Sequence, residues 1–348
     1  MFYIHDIAAI SPVHELFASS PENTNIISGN KLLAVEPVYA GIPPTVLRRM
    51  GKAVRMSVGA ALHIIQKHPQ LDGVIIGTAN GGMEDSIKFM NQIVQYEEGL
   101  LTPGNFVQST PNGLASQIAF MVKNKNYNNT HVHRGLSFEN ALLDVVMLLS
   151  EQPSASYLLG GADEISSYNY NIDWLAGWYK KEEVSAERLF NSSTNGTIAG
   201  EGAAMFLVNN TRTSATAKFT SLFTSHSTDE AEIQKKLEHF LEKHLPKGEQ
   251  LDLVLSGENG DRRLLPFYEA MEATVGENAG LLRFKHLCGE YPTASSFALW
   301  LSCNILQTQT IPAVLEKRKA RSTTFRNLLV YNSFQGHQHS FMLISAVE

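Results

Sequence analysis

The stretch Asn195-Gly196-Thr197-Ile198-Ala199-Gly200-Glu201-Gly202-Ala203-Ala204 runs directly into Met205-Phe206-Leu207-Val208. Three glycines crowd around one carboxylate, and an unbroken apolar run follows. Glycine tolerates positive φ and close backbone approach. A short apolar run bounded by turn residues reads as a buried strand. The stretch therefore predicts a tight, buried turn before a core strand. Gly202 is read as a positive-φ position, so that Gly202→Val should impair folding. The same unit recurs: 73–77 precedes Thr78-Ala79-Asn80-Gly81-Gly82, 156–160 precedes Gly161-Ala162-Asp163-Glu164, 251–256 precedes Gly257-Glu258-Asn259-Gly260, and 328–331 precedes Asn332-Ser333-Phe334-Gln335-Gly336. Helical periodicity occupies 45–67, 114–123, 137–150, 229–244 and 293–306. This alternation predicts an α/β fold with largely parallel sheets, whose sites lie at the strand ends.

Composition narrows the class. The chain has 348 residues, 43% hydrophobic and 18% charged, enough for a large core. A formal net charge of −6 argues against general nucleic-acid binding. No apolar run reaches the ~20 residues of a membrane span, and the N-terminus lacks a basic-then-apolar leader. Two cysteines, Cys288 and Cys303, make no disulfide framework, so a reducing cytoplasmic setting is expected. Residues 209–217, rich in Asn, Thr and Ser, read as a linker between two halves, 1–209 and 210–348. The mixed-charge run 229–236 reads as a solvated helix face.

These segments, in this order, resemble the β-ketoacyl-acyl carrier protein synthases of the thiolase superfamily. Ile10-Ser11-Pro12 resembles the family's opening strand and turn. Leu159-Gly160-Gly161-Ala162-Asp163-Glu164 resembles Ala-Gly-Gly-Ala-Glu, and Asn195–Ala204 resembles Asp-Gly-Phe-Val-x-Gly-Glu-Gly-Ala-Gly. Asn332-Ser333-Phe334-Gln335-Gly336 resembles a shortened Asn-Ser-Phe-Gly-Phe-Gly-Gly. The chain is shorter than typical members, with the loss expected between Pro12 and Leu47. The resemblance implies a thiolase-like fold: two similar halves with mixed five-stranded sheets in an αβαβα layering.

The family's chemistry needs a cysteine thiolate at a helix N-terminus and two histidines around a developing enolate. None is visible here. The cysteine's position falls on Gly135, or on Arg134 with one slip; the first histidine's falls on Gly257, the second's on Glu290. Lys285 survives. Joint loss of three reacting groups resembles the chain length factors, homologues that lack the nucleophile and pair with an active ketosynthase. Other readings stay open. Cys288 could be a displaced nucleophile or a buried structural thiol. Ser137 lacks a nucleophile elbow. His131 with His133, and His337 with His339, alternate on extended segments, but further metal ligands are not apparent. Glu290 with Lys285 could serve an active acyltransferase or decarboxylase, and a plain acyl-chain or acyl-carrier binding protein is a third possibility. No cofactor or metal is implied.

Partner surfaces follow from the same resemblance. Arg48, Arg49, Lys52 and Arg55 form a basic cluster on an acidic chain, with Arg48, Lys52 and Arg55 on one face of the predicted helix; such a face could steer an acidic carrier protein or be merely solvated. Gly81, Met83, Phe138 and Phe334 are expected to line an apolar tunnel, which Gly135→Trp should block without harming the fold. Association is expected through an edge strand of the first half, as a heterodimer with an active ketosynthase or a homodimer in isolation.

Overall fold

The computed structural model describes residues 1–13, 16–17 and 29–347. The shortening expected between Pro12 and Leu47 falls in part outside these residues.

Two strand sets with the same topology make up the large sheet. The first contains β1 (Phe2–Ile10), β3 (Gly73–Gly77), β4 (Tyr127–His131), β5 (Ser156–Asp163) and β7 (Gly202–Asn209), in the order β4-β3-β5-β7-β1. The pairs β4/β3 and β3/β5 are parallel, while β5/β7 and β7/β1 are antiparallel. The second contains β8 (Ala217–His226), β9 (Leu253–Ser256), β10 (Gly280–Arg283), β12 (Asn327–Phe334) and β13 (Gln338–Ser345), in the order β10-β9-β12-β13-β8. Its pairs repeat the pattern, parallel then antiparallel. A short β11 (Glu316–Arg318) adds an outer edge beside β10. The sets join where Phe2, Tyr3 and Ile4 pair with Phe219, Lys218 and Ala217, giving one eleven-stranded sheet that turns back on itself. A two-stranded ribbon, β2 (Lys31–Leu32) with β6 (Ala199–Gly200), lies apart.

Side chains alternate along a strand, and here the alternation sorts the core into three. On β3, Val74 and Ile76 face an outer cluster with α2 (Lys52–Lys67) and α5 (Gly113–Met121), while Ile75 faces the inner cluster. On the second set, Val254 and Leu329 face an opposite outer cluster with α8 (Glu230–His244) and α9 (Leu265–Val275), while Leu255 and Val330 face inward. The inner cluster is filled by α6 (Ser137–Glu151) and α11 (Ala294–Thr308). The layers are therefore helix, sheet, helix, sheet, helix, as expected.

Each helix carries the pattern its layer demands. α8 is amphipathic: Ile233, Leu237 and Phe240 are buried, Asp229 caps the N-terminus through Ala231 N–H (2.9 Å), and Lys243 and His244 close the last turn. α11 is buried on nearly every side, as a helix between two sheets must be. The remaining helices are α1 (Pro44–Leu47), α3 (Met83–Gln95), α4 (Pro103–Gln108), α7 (Ser167–Leu175) and α10 (Lys285–Cys288). The single helix predicted over 45–67 breaks at Arg48–Gly51, so Arg48 is not on the helix that carries Lys52 and Arg55. Among the described residues no helix is long and apolar enough to cross a membrane.

Candidate functional site

The turn between β4 and α6 is where a nucleophile was expected. It is built from local bonds: Ser137 Oγ accepts the N–H of His133 (2.7 Å) and donates to the carbonyl of Arg134 (2.8 Å). Ser137 is thus a buried turn-former rather than an exposed nucleophile. Arg134 takes the left-handed conformation (φ 48°). Gly135 follows and is closed from two sides. A Cβ placed on it would stand 2.2 Å from Cβ of Phe334. Its N–H donates to Oε1 of Gln338 (2.9 Å), whose amide reaches the His133 carbonyl (3.4 Å). The Gly135→Trp expectation is therefore corrected: even one extra carbon collides with Phe334, so that variant cannot leave the fold intact.

Gly257, where the first histidine was expected, is equally closed. A Cβ on Gly257 would lie 2.5 Å from Oδ1 of Asn332. Two residues on, Asn259 is the side chain that enters the site: its Nδ2 donates to Oε2 of Glu290 (2.7 Å), while Lys285 Nζ donates to Oε1 (2.5 Å). Lys285 is wholly buried and Glu290 nearly so. Lysine, carboxylate and amide thus satisfy one another. Behind them, fully buried Glu139 on α6 accepts from Ser340 Oγ (2.8 Å), and its other oxygen has no hydrogen-bond partner among the described residues. Burial pushes its carboxyl up to about 6, against the pull of Ser340, Ser295 and Lys285. Cys288 is fully buried at the end of α10, its Sγ on the Gly289 carbonyl (3.2 Å), and burial pushes its thiol far up. That is the structural-thiol alternative.

His131 is held by Asp144 (2.8 Å) and His133 by Asn140 (2.8 Å), whereas His339 is buried between Tyr331 (3.1 Å) and the Ser227 carbonyl (2.9 Å). The His337 ring lies 3.1 Å from the Gln335 carbonyl. Among the described residues no three His, Cys, Asp or Glu side chains gather closely enough to hold a metal.

The four tunnel residues are not brought together. Phe138 is in the inner core against Phe206, Gly81 packs on Thr78 and Leu114, Met83 is 39% exposed at the start of α3, and only Phe334 borders the cleft. That cleft is acidic, not apolar: Glu164, Asp173, Asp261 and Glu290 line it with Tyr170 and Tyr179. Burial, reinforced by the Asp85, Glu201 and Glu84 carboxylates, pushes Glu164 up to about 7 despite its bond from Ala53 N–H (3.1 Å).

The basic cluster also divides. Lys52 is bonded to Glu201, which further accepts the N–H of Ala34 (2.9 Å) and of Ile165 (3.0 Å). Arg55 forms a two-pronged pair with Glu36 (2.9 and 2.8 Å). Arg48 and Arg49 stay exposed. All four border a groove that also holds Glu84, Asp85 and Glu164. Gly202 is corrected too. It is not left-handed; it lacks room, since a Cβ would meet the Ile10 carbonyl at 2.9 Å.

Sequence reasoning missed Asn259, Gln338 and Glu139. Asn259 could have been found by letting the histidine position slip two residues along Gly257-Glu258-Asn259-Gly260. Gln338 lies 203 residues from Gly135 and left no local signal.

Known proteins share this fold. A family model described as "Beta-ketoacyl synthase, N-terminal domain" matches residues 25–175. No curated protein sequence matches the chain. Among solved structures, a β-ketoacyl synthase from Burkholderia phymatum STM815 superimposes with a TM-score of 0.77 at 13% identity, over 100% of this chain and 99% of that one. The ishigamide ketosynthase/chain length factor gives 0.76 at 14%, over 100% and 99%. The ketosynthase ApeO in complex with its chain length factor ApeC, from Xenorhabdus doucetiae, gives 0.76 at 12%, over 99% and 98%. Over residues 25–175 the chain matches the model of the β-ketoacyl synthase N-terminal domain, and over its length it shares the fold of these solved structures.

Proposed function

We propose that this chain is a non-catalytic, chain-length-factor-type partner of an active ketosynthase, acting with an acyl carrier protein in fatty acid, polyketide or aryl-polyene-type synthesis. The closed turn carries this reading. The nucleophile position offers no reactive atom and no room for one, because Phe334 and Gln338 already fill the space around Gly135. The residues at the histidine positions are bonded to one another, which leaves no free group to stabilise an enolate.

The exposed surface supports the partner half of the reading. Beyond its pairing with β3, β4 is a free sheet edge, and an unpaired edge invites a second strand. Around it stand exposed apolar side chains: Val132 beyond the strand, Leu143 and Met147 on α6, and Phe120 on α5. Exposed apolar clusters of this kind mark association surfaces. Arg48 and Arg49 remain available to an acidic carrier protein. Lys52 and Arg55 contribute less, since internal carboxylates hold them.

The test is co-expression with cysteine-bearing ketosynthases and carrier protein, followed by pull-down and intact mass spectrometry. A stable one-to-one complex with an unmodified chain is expected. An acyl adduct on Cys288, or failure to bind any ketosynthase, would overturn the proposal and favour an independent enzyme on this fold.

A further inference from the structure

Three side chains at the inner end of the cleft are of types that can react with one another. Lys285 Nζ donates to Oε1 of Glu290 (2.5 Å), and Asn259 Nδ2 donates to Oε2 (2.7 Å). One carboxylate thus holds an amine and a primary amide on its two oxygens. Lys285 is wholly buried, and Asn259 and Glu290 are 3% and 7% exposed. A buried ion pair is weak evidence for stability, because desolvation offsets much of the attraction. A reaction that removes both charges is favoured by the same burial.

The backbone fixes these groups in place. The Glu290 N–H donates to the Ile198 carbonyl (2.8 Å), and the Glu290 carbonyl accepts from the Gly200 N–H (2.9 Å). The backbone carbonyl of Asn259 accepts from Thr197 Oγ1. Its side-chain oxygen, Oδ1, accepts the N–H of Asp261 (3.0 Å). A backbone N–H already on a carbonyl oxygen is the donor that a developing oxyanion needs. Groups held this way have lost most of the freedom that a reaction between them would cost. Asn259 and Glu290 also line the cleft, so a small leaving molecule has a way out.

We propose that Lys285 and Asn259 join in an isopeptide bond, a covalent staple that the folded chain forms by itself with Glu290 as acid and base. Glu290 takes a proton from the Lys285 ammonium. The neutral Nζ attacks Cγ of Asn259, and the Asp261 N–H holds the negative charge that develops on Oδ1. A second Nζ proton is taken up as Glu290 delivers the first to Nδ2. The Cγ–Nδ2 bond breaks and ammonia leaves. Of the three ammonium protons, one stays on the new amide, one departs in the ammonia and one ends on Glu290. The ion pair has become two neutral groups, and the balance needs no oxidant or co-reactant.

The staple closes residues 259–285 into a ring and ties the turn after β9 to the start of α10, across α9 and β10. Such a ring constrains the unfolded chain as a disulfide does. The staple goes beyond the partner reading and does not depend on it. The acyl-free chain expected in the pull-down would be lighter than its sequence by one ammonia.

The experiment is intact mass spectrometry of the folded full chain, then tryptic digestion after denaturation. Most wild-type molecules should have lost one ammonia. Their digest should contain one branched peptide, 248–262 joined to 284–317 through Asn259 and Lys285, because a linked Lys285 is no longer cleaved. Glu290→Gln, which cannot move the protons, and Lys285→Arg, which has no amine to attack, should each keep the full mass and give separate linear peptides. A folded wild-type chain of full mass would overturn the proposal. So would ammonia loss confined to a linear 248–262 peptide, the cyclic imide that Asn259-Gly260 can form alone, or a Glu290→Gln chain linked as completely as the wild type. If either variant fails to fold, the wild-type mass and digest decide by themselves. Ketosynthase co-purification is scored separately: a full-mass chain that still binds a ketosynthase sinks the staple and leaves the partner reading standing, and a linked chain that binds none does the reverse.

Discussion

At Gly135 the turn has no room for a side chain, because Phe334 already stands where a Cβ would lie. Gly135→Ala should destabilise the fold by about 1–3 kcal/mol through overpacking against Phe334. Phe334→Ala in the same chain should return part of that loss, since it removes the ring in the way. Urea unfolding of the two single variants and the double variant measures the coupling; strict additivity would mean the two residues do not compete for space. Glu164 gives a second test, through pH. Its folded-state carboxyl sits near 7 against an ordinary 4.5. A raised carboxyl favours the folded state while protonated, so its penalty is absent below about pH 4.5 and grows until ionisation is complete above pH 7, to on the order of 3 kcal/mol at most. Glu164→Gln keeps an acceptor for the Ala53 N–H and removes the charge. It should stabilise the protein at pH 8 and have little effect at pH 4.5; equal effects at both would refute the shift. At this scale the sequence was partly legible. The nearness of Lys285 and Glu290 was legible because they lie five residues apart in one segment. Asn259 and Gln338 were not, because their partners come from other strands.

Among the elements, β4 and its neighbours carry the association surface. Val132→Glu with Met147→Glu puts two charges beside the free edge, at side chains that are 53% and 63% exposed. Exposed substitutions away from special contacts shift stability by about 0.5 kcal/mol or less, so the isolated chain should melt as before. Binding to a co-expressed ketosynthase should fall at least tenfold. Retained binding would place the interface on another face. Elements whose residues follow one clear period were readable in advance: α6, α8 and α11 begin and end within about two residues of the sequence reading. β8 was not. Its sequence, Ala-Lys-Phe-Thr-Ser-Leu-Phe-Thr-Ser-His, is rich in the hydroxyl residues that loops also use, and the linker was drawn up to its first residue. Its pairing with β13 along most of its length, and with β1 at its start, settles it as a strand. The break between α1 and α2 was hidden for a related reason: Met50-Gly51 interrupts the helix without disturbing its apolar spacing. Arg48 therefore lies off the helix face that carries Lys52 and Arg55.

Over the whole molecule, the repeated topology suggests two separable halves, but the packing opposes separation. α11 belongs by sequence to the second strand set, yet it packs on β7, β1 and β5 of the first as well as on β12 and β13. A protease site inserted at exposed Ser214, in the turn before β8, should therefore yield a nicked protein whose pieces stay together through gel filtration. The piece 1–209 made alone should aggregate, because the inner face of its sheet is left bare. Recovery of that piece as a folded monomer would show that the halves are independent. The turn between β7 and β8 was thus readable, while the sharing of the inner layer was not: no local pattern says which sheet a helix buried on nearly every side will cover. The far-separated pairing of β1 has a further consequence during biosynthesis. Ile4 pairs with Val208, so at a translation rate of about 5–20 residues per second the strand waits on the order of ten seconds or more for β7 to emerge. α11 comes later still. For that interval the ribosome holds apolar strands with no native cover, and the nascent chain is a natural client for chaperones.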